Sequence, residues 1–171
     1  MSEIFRGRII TLHREDVTLP TGGRVTLEIV HHPGASAIVA VDGAGAVALI
    51  RQYRHAAGGF IWEIPAGTLG ANEPPAECAR RELREETGLI AAQWTPLGSV
   101  LTTPGFCDER IHLFLARELS ESTASLEDDE VLTVSRVPMA QALAMIQRGE
   151  IDDAKSIAAL HRAQAVLAGK S

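Results

Sequence analysis

The 171-residue chain has only two cysteines, Cys78 and Cys107, and neither sits in a CxxC pair or a Cys/His set with metal-ligand spacing. That excludes a zinc-ribbon or redox-motif protein, and both side chains are expected to be reduced thiols. Basic residues are also scarce: 16 Lys and Arg against 22 Asp and Glu leave a net charge of −6 and a pI near 5.5. A nucleic-acid footprint requires clustered Lys and Arg, so no nucleic-acid partner is expected. An anionic small molecule would have to be held by a metal and a few local basic groups. No apolar run reaches the length of a membrane span, since Asp42 and several glycines interrupt the longest one. The opening MSEIFRGRII lacks the apolar core of a signal peptide. The expectation is a cytoplasmic protein with no membrane partner. No internal repeat is found, and the length suits one domain with a sizeable core.

Against these absences stands one dense segment. Residues 67 to 89 read GTLGANEPPAECARRELREETGL and place Gly67, Glu73, Arg81, Glu82, Glu85, Glu86 and Gly88 in the frame G-x5-E-x7-R-E-Φ-x-E-E-x-G-Φ. With ordinary residue usage a chance match has odds below roughly one in a million. Pro75 suits the first turn of a helix, where its fixed φ helps and its missing N–H costs nothing. Glu77 then lies near the positive end of the dipole, and Gly88 supplies the stop. Ala76, Ala79 and Leu83 recur at helical spacing and should face the core. Glu82, Glu85 and Glu86 gather on another side. Arg81 can pair with Glu85 at i, i+4, but Glu82 and Glu86 remain like charges one turn apart, which is mildly destabilising. A hard divalent cation with oxygen ligands offsets that repulsion and also binds phosphates. The implied chemistry is metal-assisted hydrolysis of a diphosphate.

Elsewhere the patterning is mostly β. About residues 5 to 30 alternate apolar and polar in two stretches around Pro20-Thr21-Gly22-Gly23, which predicts a hairpin that buries little alone. Ala35 to Val41 and Ala46 to Tyr53 follow, divided by an Asp42-Gly43-Ala44-Gly45 turn. The glycines of that turn are not a dinucleotide fingerprint, because no helix follows. His31 and His32 are neighbours on a strand and face opposite ways, which argues against a shared metal. Leu97 to Leu101 and Ile111 to Ala116 predict strands around a loop at Thr102 to Arg110. Glu118 to Glu130 reads as a polar surface loop. A further strand runs to about Val137, followed by helices over Met139 to Arg148 and Ala154 to Leu167. The last carries Ile157, Leu160 and Leu167 as a packing stripe. If Ile50 to Arg54 is extended, Arg51 and Tyr53 share one face while Gln52 and Arg54 share the other.

The frame at Gly67 to Leu89 is identified as the Nudix box, and from about residue 24 onward the chain resembles the ADP-ribose pyrophosphatase branch of the Nudix hydrolases. The matching pieces are RQYR at Arg51 to Arg54, WEIPAG at Trp62 to Gly67, TTPGFCDERIHLFLA from Thr102 to Ala116 and GEIDDAKSIAAL from Gly149 to Leu160. Pro104, fifteen positions after Leu89, has the spacing that marks this branch. The resemblance implies an α/β fold, the Nudix α/β/α sandwich with a mixed sheet. One Nudix domain would span 1–171, with 1–34 as an N-terminal β-hairpin extension and 35–171 as the core. It also implies a homodimer built with help from that hairpin, with or without exchange between subunits.

By the same resemblance, the reaction is hydrolysis of a nucleoside diphosphate sugar, ADP-ribose to AMP and ribose 5-phosphate, with Mg²⁺ or Mn²⁺ as substitute. Glu82, Glu85, Glu86 and the backbone carbonyl of Ala66 would hold the metal, and Arg54 and Thr103 would touch substrate. Arg81 would orient Glu85, and Glu73 would stabilise the loop or act as an outer-shell ligand. The loop carboxylate that takes a metal or the water's proton is assigned to Glu130, with Glu127 and Asp128 as rivals. Two alternatives stand beside this reading. One is a hydrolase of another sugar nucleotide such as GDP-mannose; the other is a Nudix-like binding or regulatory module without turnover.

Overall fold

The six residues Ala35–Ala40 carry no charge, and all six are buried. A strand covered on both faces and both edges has to lie inside the protein, and alternation then sends successive side chains to opposite layers. The computed structural model describes residues 1–125 and 131–169. In chain order the strands and first helix are β1 (Ser2–Arg6), β2 (Thr11–Thr18), β3 (Arg24–His31), β4 (Ala35–Ala40), β5 (Ala46–Arg54), β6 (Gly59–Glu63), β7 (Ala66–Thr68) and α1 (Pro75–Thr87). Then come β8 (Leu89–Leu101), β9 (Arg110–Glu121), β10 (Leu132–Pro138), α2 (Met139–Gln147) and α3 (Ala154–Leu167).

A mixed sheet runs β7-β4-β9-β8, with β4 parallel to β9 and antiparallel to β7. A second sheet runs β10-β5-β6, all antiparallel. Ala37 and Val39 of β4 and Val47 and Leu49 of β5 pack toward α2 and α3, where Met145, Ala159 and Leu160 meet them. Ile38, Ala40 and Ala48 point the other way, onto Ala79 and Leu83 of α1. The result is the α/β/α sandwich expected. Burying a side chain such as Leu83 is worth about 1.5–3 kcal/mol, so the Ala79 and Leu83 side docks the helix, and Glu82 and Glu86, next to it around the helix and not opposite as the sequence suggested, are buried along with it. Ser36, turned to α1 by the same alternation, donates from Oγ to the Pro75 carbonyl at 2.8 Å. Gly88 ends the helix at φ 68°, its N–H donating to the Arg84 carbonyl at 2.9 Å. That left-handed backbone strains any residue with a Cβ.

Four details differ from expectation. The N-terminal hairpin forms as expected, from β2 and β3 joined through Leu19–Gly23, but β1 adds a third antiparallel strand to it. Ser2–Arg6 is exposed throughout, so it has no buried face to imprint a period on the sequence. Strands β8 and β9 are much longer than expected because they pair with each other from Leu89↔Glu121 to Leu101↔Arg110. That pairing carries β9 to Glu121, through residues whose polarity reads as loop. Finally, Leu167 is 38% exposed; Ala159, Leu160 and Ala163 form the buried face of α3. Among the described residues no helix is long and apolar enough to cross a membrane.

Candidate active site

Helix α1 presents its carboxylates to the short strand β7. Glu86 is 1% exposed, and its Oε2 accepts the Ala66 N–H at 2.9 Å. Glu82 is 7% exposed and lies flat against Gly67, where an added Cβ would sit 1.9 Å from the carboxyl group. The first glycine of the frame is therefore required by close approach, since only a hydrogen leaves room for the carboxylate. Glu85, one turn from Arg81, is the more open member of the set.

Arg81 ties the group together. Its Nε and Nη2 form a bidentate pair with Glu73 at 2.9 Å each, while Nη1 donates to Glu82 at 2.6 Å and to Glu85 at 3.1 Å. Nη2 also reaches the Thr68 carbonyl at 3.3 Å. One planar fork thus fixes three carboxylates and the strand beside them. Glu73 additionally accepts the Gly70 N–H at 2.8 Å, so it holds the loop between β7 and α1. Arg81 beside it draws the Glu73 carboxyl from 4.5 down to about 2.

A depressed folded-state value means that this interaction stabilises fully above about pH 4.5 and fades as the pH falls toward 2. The stability gap between the parent and Glu73→Gln, followed by urea unfolding, is therefore expected to be constant above pH 5 and to close across that acid window. A gap independent of pH would mean that Glu73 is not held this way. Cys78 is fully buried behind the same loop, and burial, followed by the charge of Glu82, pushes its thiol up to about 11. It is a reduced packing residue, not a nucleophile.

Glu73 and Glu82 open onto a cavity of about 970 Å³, lined also by Arg54, Glu63, Ala66, Thr103 and Lys155 among others. On β5, Gln52 and Arg54 face this cavity's side, and Arg51 stacks over Phe60 and Trp62 on the opposite face, 5.8 and 6.0 Å from the ring centroids. Arg54 Nε donates to Glu63 Oε2 at 2.9 Å. Glu63, only 3% exposed, also pairs with Lys155, whose Nζ lies 3.0 Å from Asp153 Oδ2. A buried carboxylate thereby anchors two cations on the rim. Thr103 lies in the loop before β9, its carbonyl accepting the Cys107 N–H at 2.9 Å.

Of the expected site residues, Arg54, Ala66, Glu82 and Thr103 line this one cavity; Glu86 joins them through the Ala66 N–H and Glu85 through Arg81. Glu130 and its rivals Glu127 and Asp128 lie outside the described residues. Sequence reasoning missed Glu63, Lys155 and the buried amide of Gln52. Glu63 is 92 positions from Lys155, a separation no local period reveals; the only available signal was their presence in the quoted WEIPAG and GEIDDAKSIAAL pieces.

The pattern of the NUDIX domain matches residues 30–160. The chain belongs to the Nudix family. It is 43% identical to the ADP-ribose pyrophosphatase of Bacillus subtilis over 95% of its own length and 89% of that protein. It is 44% identical to the ADP-ribose pyrophosphatase of Mycobacterium tuberculosis, over 95% and 80%. The methanol dehydrogenase activator of Bacillus methanolicus is 41% identical, over 95% and 89%. Among solved structures, that of an ADP compounds hydrolase superposes with a TM-score of 0.85 at 23% identity, covering 99% of this Nudix chain and 92% of that one. At that identity the superposition speaks for the fold.

Proposed function

We propose that this Nudix chain hydrolyses the diphosphate bond of a nucleoside diphosphate sugar, ADP-ribose to AMP and ribose 5-phosphate, with Mg²⁺ or Mn²⁺ as cofactor. The observation that carries the reading is the carboxylate group of α1, with Glu82 against Gly67 at the wall of a cavity lined also by Arg54 and Lys155, Glu86 bound to the Ala66 N–H and Glu85 bound to Arg81. An all-oxygen donor set of carboxylates, beside a glycine that leaves space for them, fits a hard divalent cation. Glu82, Glu85, Glu86 and the Ala66 carbonyl would hold it. When bound, such a cation supplies charge neutralisation at the diphosphate oxygens.

The rest of the work falls to the chain. Arg81 holds Glu82 and Glu85 in register, so that their positions do not have to be organised at each turnover. Arg54 and Lys155, anchored by Glu63, present positive charge to the phosphates. Thr103 borders the same cavity. Glu130 accepts the proton of the attacking water. This last role is supported by the flanks of its segment: the Ser125 N–H donates to the Glu85 carbonyl at 2.9 Å, and the Val131 carbonyl accepts from Tyr53 N–H at 3.0 Å.

We further assign residues 1–34 to dimerisation of a cytoplasmic homodimer and residues 35–171 to the catalytic core. Ile4, Phe5, Ile9 and Ile10 of the extension are exposed, an apolar set that suits a second copy. Ile9 and Arg8 also border the cavity.

Incubation with Mg²⁺ and ADP-ribose, with products resolved by ion-pair chromatography, is expected to yield AMP and ribose 5-phosphate. Cleavage of GDP-mannose but not ADP-ribose would transfer the assignment to another sugar nucleotide. Absence of turnover on both would favour a regulatory module, a reading that the name of the Bacillus methanolicus relative makes worth the control. In the same assay Glu130→Gln should lower kcat by about 100-fold or more while KM changes little, as loss of a general base does. An unchanged kcat would move the role to Glu127 or Asp128.

A further inference from the structure

The N-terminal sheet carries a second cluster of ligating side chains that the hydrolytic site does not use. On β2, His13 and Glu15 are two apart and share a face, and His31, paired across the sheet with Thr11, shares it too. One ring nitrogen from each histidine and one Glu15 oxygen all lie within 4.8 Å of one another. The two imidazoles meet edge to face with centroids 4.9 Å apart.

The neighbours of these groups matter as much as their spacing. His31 Nδ1 is 2.6 Å from Asp108 Oδ2, while Nε2 points into the cluster, 2.8 Å from Glu15 Oε1. A carboxylate on one imidazole nitrogen, leaving the other aimed at a ligand, is how proteins orient a metal-binding histidine. Asp108 is itself fixed by the His32 N–H at 2.9 Å. His13 is mostly buried, and neither of its ring nitrogens makes a hydrogen bond among the described residues. Leaving a shielded imidazole unsatisfied is costly unless something else takes its lone pair. Glu3 Oε2, 3.5 Å from His13 Nε2, adds a further carboxylate at the rim. His32 does not join His31, as their opposite orientation on the strand requires; the partner comes from β2.

We propose that His13, Glu15 and His31, with Asp108 positioning His31, form a binding site for a borderline divalent transition metal such as Zn²⁺, separate from the Nudix carboxylates. Two imidazoles and one carboxylate are a known zinc donor set. Bond lengths of about 2.0–2.2 Å put donor atoms roughly 3.3 Å apart, so the site closes from its present spacing by small side-chain movements. Such an ion would cross-link β2 to β3 and, through Asp108, tie the N-terminal sheet to the loop that carries Thr103.

The test is calorimetric titration of Zn²⁺ into the full chain in saturating Mg²⁺, which occupies the Nudix carboxylates. One equivalent of Zn²⁺ is expected to bind. His13→Asn and His31→Asn should each weaken it by more than about 100-fold, and Asp108→Asn by about 10- to 100-fold. Glu86→Gln, at the hydrolytic site, should leave Zn²⁺ uptake unchanged, so failure here and failure of the hydrolase reading are distinguishable. No uptake by the parent chain, or parental affinity in both histidine variants, would overturn the proposal. Should a histidine variant not fold, Co²⁺ added to the unaltered chain decides: intense visible bands of a four-coordinate site support it, and only the weak bands of hexa-aquo-like Co²⁺ overturn it.

Discussion

Glu86→Gln is expected to lower the rate of hydrolysis by about 100- to 1,000-fold while leaving the fold intact. Glu86 is nearly inaccessible and accepts the Ala66 N–H through one oxygen; a glutamine carbonyl can accept the same bond, so the contact between α1 and β7 persists. The substitution also removes one of two like charges at Glu82 and Glu86, a pairing that opposes the helix by a few tenths of a kcal/mol. In metal-free buffer the Tm should therefore not fall below that of the parent. What disappears is an anionic ligand in the group proposed to hold the cation. Loss of one such electrostatic element costs on the order of 10²–10³ in kcat, roughly 3–4 kcal/mol of transition-state stabilisation. Turnover of ADP-ribose and thermal melts with and without Mg²⁺ are the two measurements. Parental turnover, or an undiminished rise in Tm on adding Mg²⁺, would refute the assignment of Glu86.

Gly67→Ala should be nearly as damaging by a different route. A Cβ at this position would lie 1.9 Å from the Glu82 carboxyl carbon and one oxygen and 2.4 Å from the other. The carboxylate must move by more than 1 Å to restore van der Waals contact, and Arg81, bonded to it at 2.6 Å, must follow or release it. Overpacking of this kind costs about 1–3 kcal/mol of stability. Misplacement of a catalytic group by about 1 Å costs on the order of 10² in rate. The variant should accordingly show lowered kcat together with a lowered midpoint in urea, in contrast to Glu86→Gln, which should lose activity alone. A fully active Gly67→Ala protein would show that Glu82 is not needed where it lies.

How much of this was legible beforehand depends on the range of the interaction. The carboxylates of α1 were readable because Pro75, Gly88 and the apolar positions Ala79 and Leu83 define a helix and its inner face within fourteen residues. The same local arithmetic placed Arg54 and Gln52 opposite Arg51 on β5, and the structure keeps them so. Arg81 could be assigned to Glu85 by helical spacing alone. Its bidentate bond to Glu73 could not, because Glu73 precedes the helix and its direction is set by the loop through Gly70. Strand β1 escaped notice since an exposed strand has no alternation to read. The ends of β8 and β9 escaped because each extends the other through backbone hydrogen bonds that do not depend on side-chain polarity.

By itself, the amino-acid sequence determined the family, the helix that bears the acids and the kind of bond such a helix is equipped to break, since each rests on spacing within the short segment from Gly67 to Leu89. Tertiary structure alone decided which cations reach the cavity and what secures them: Glu63 and Lys155 meet across 92 positions, and His31 meets Asp108 across 77. Contacts at that range arise from how β4 and its neighbours stack the layers, and pairing between distant segments leaves no period along the chain.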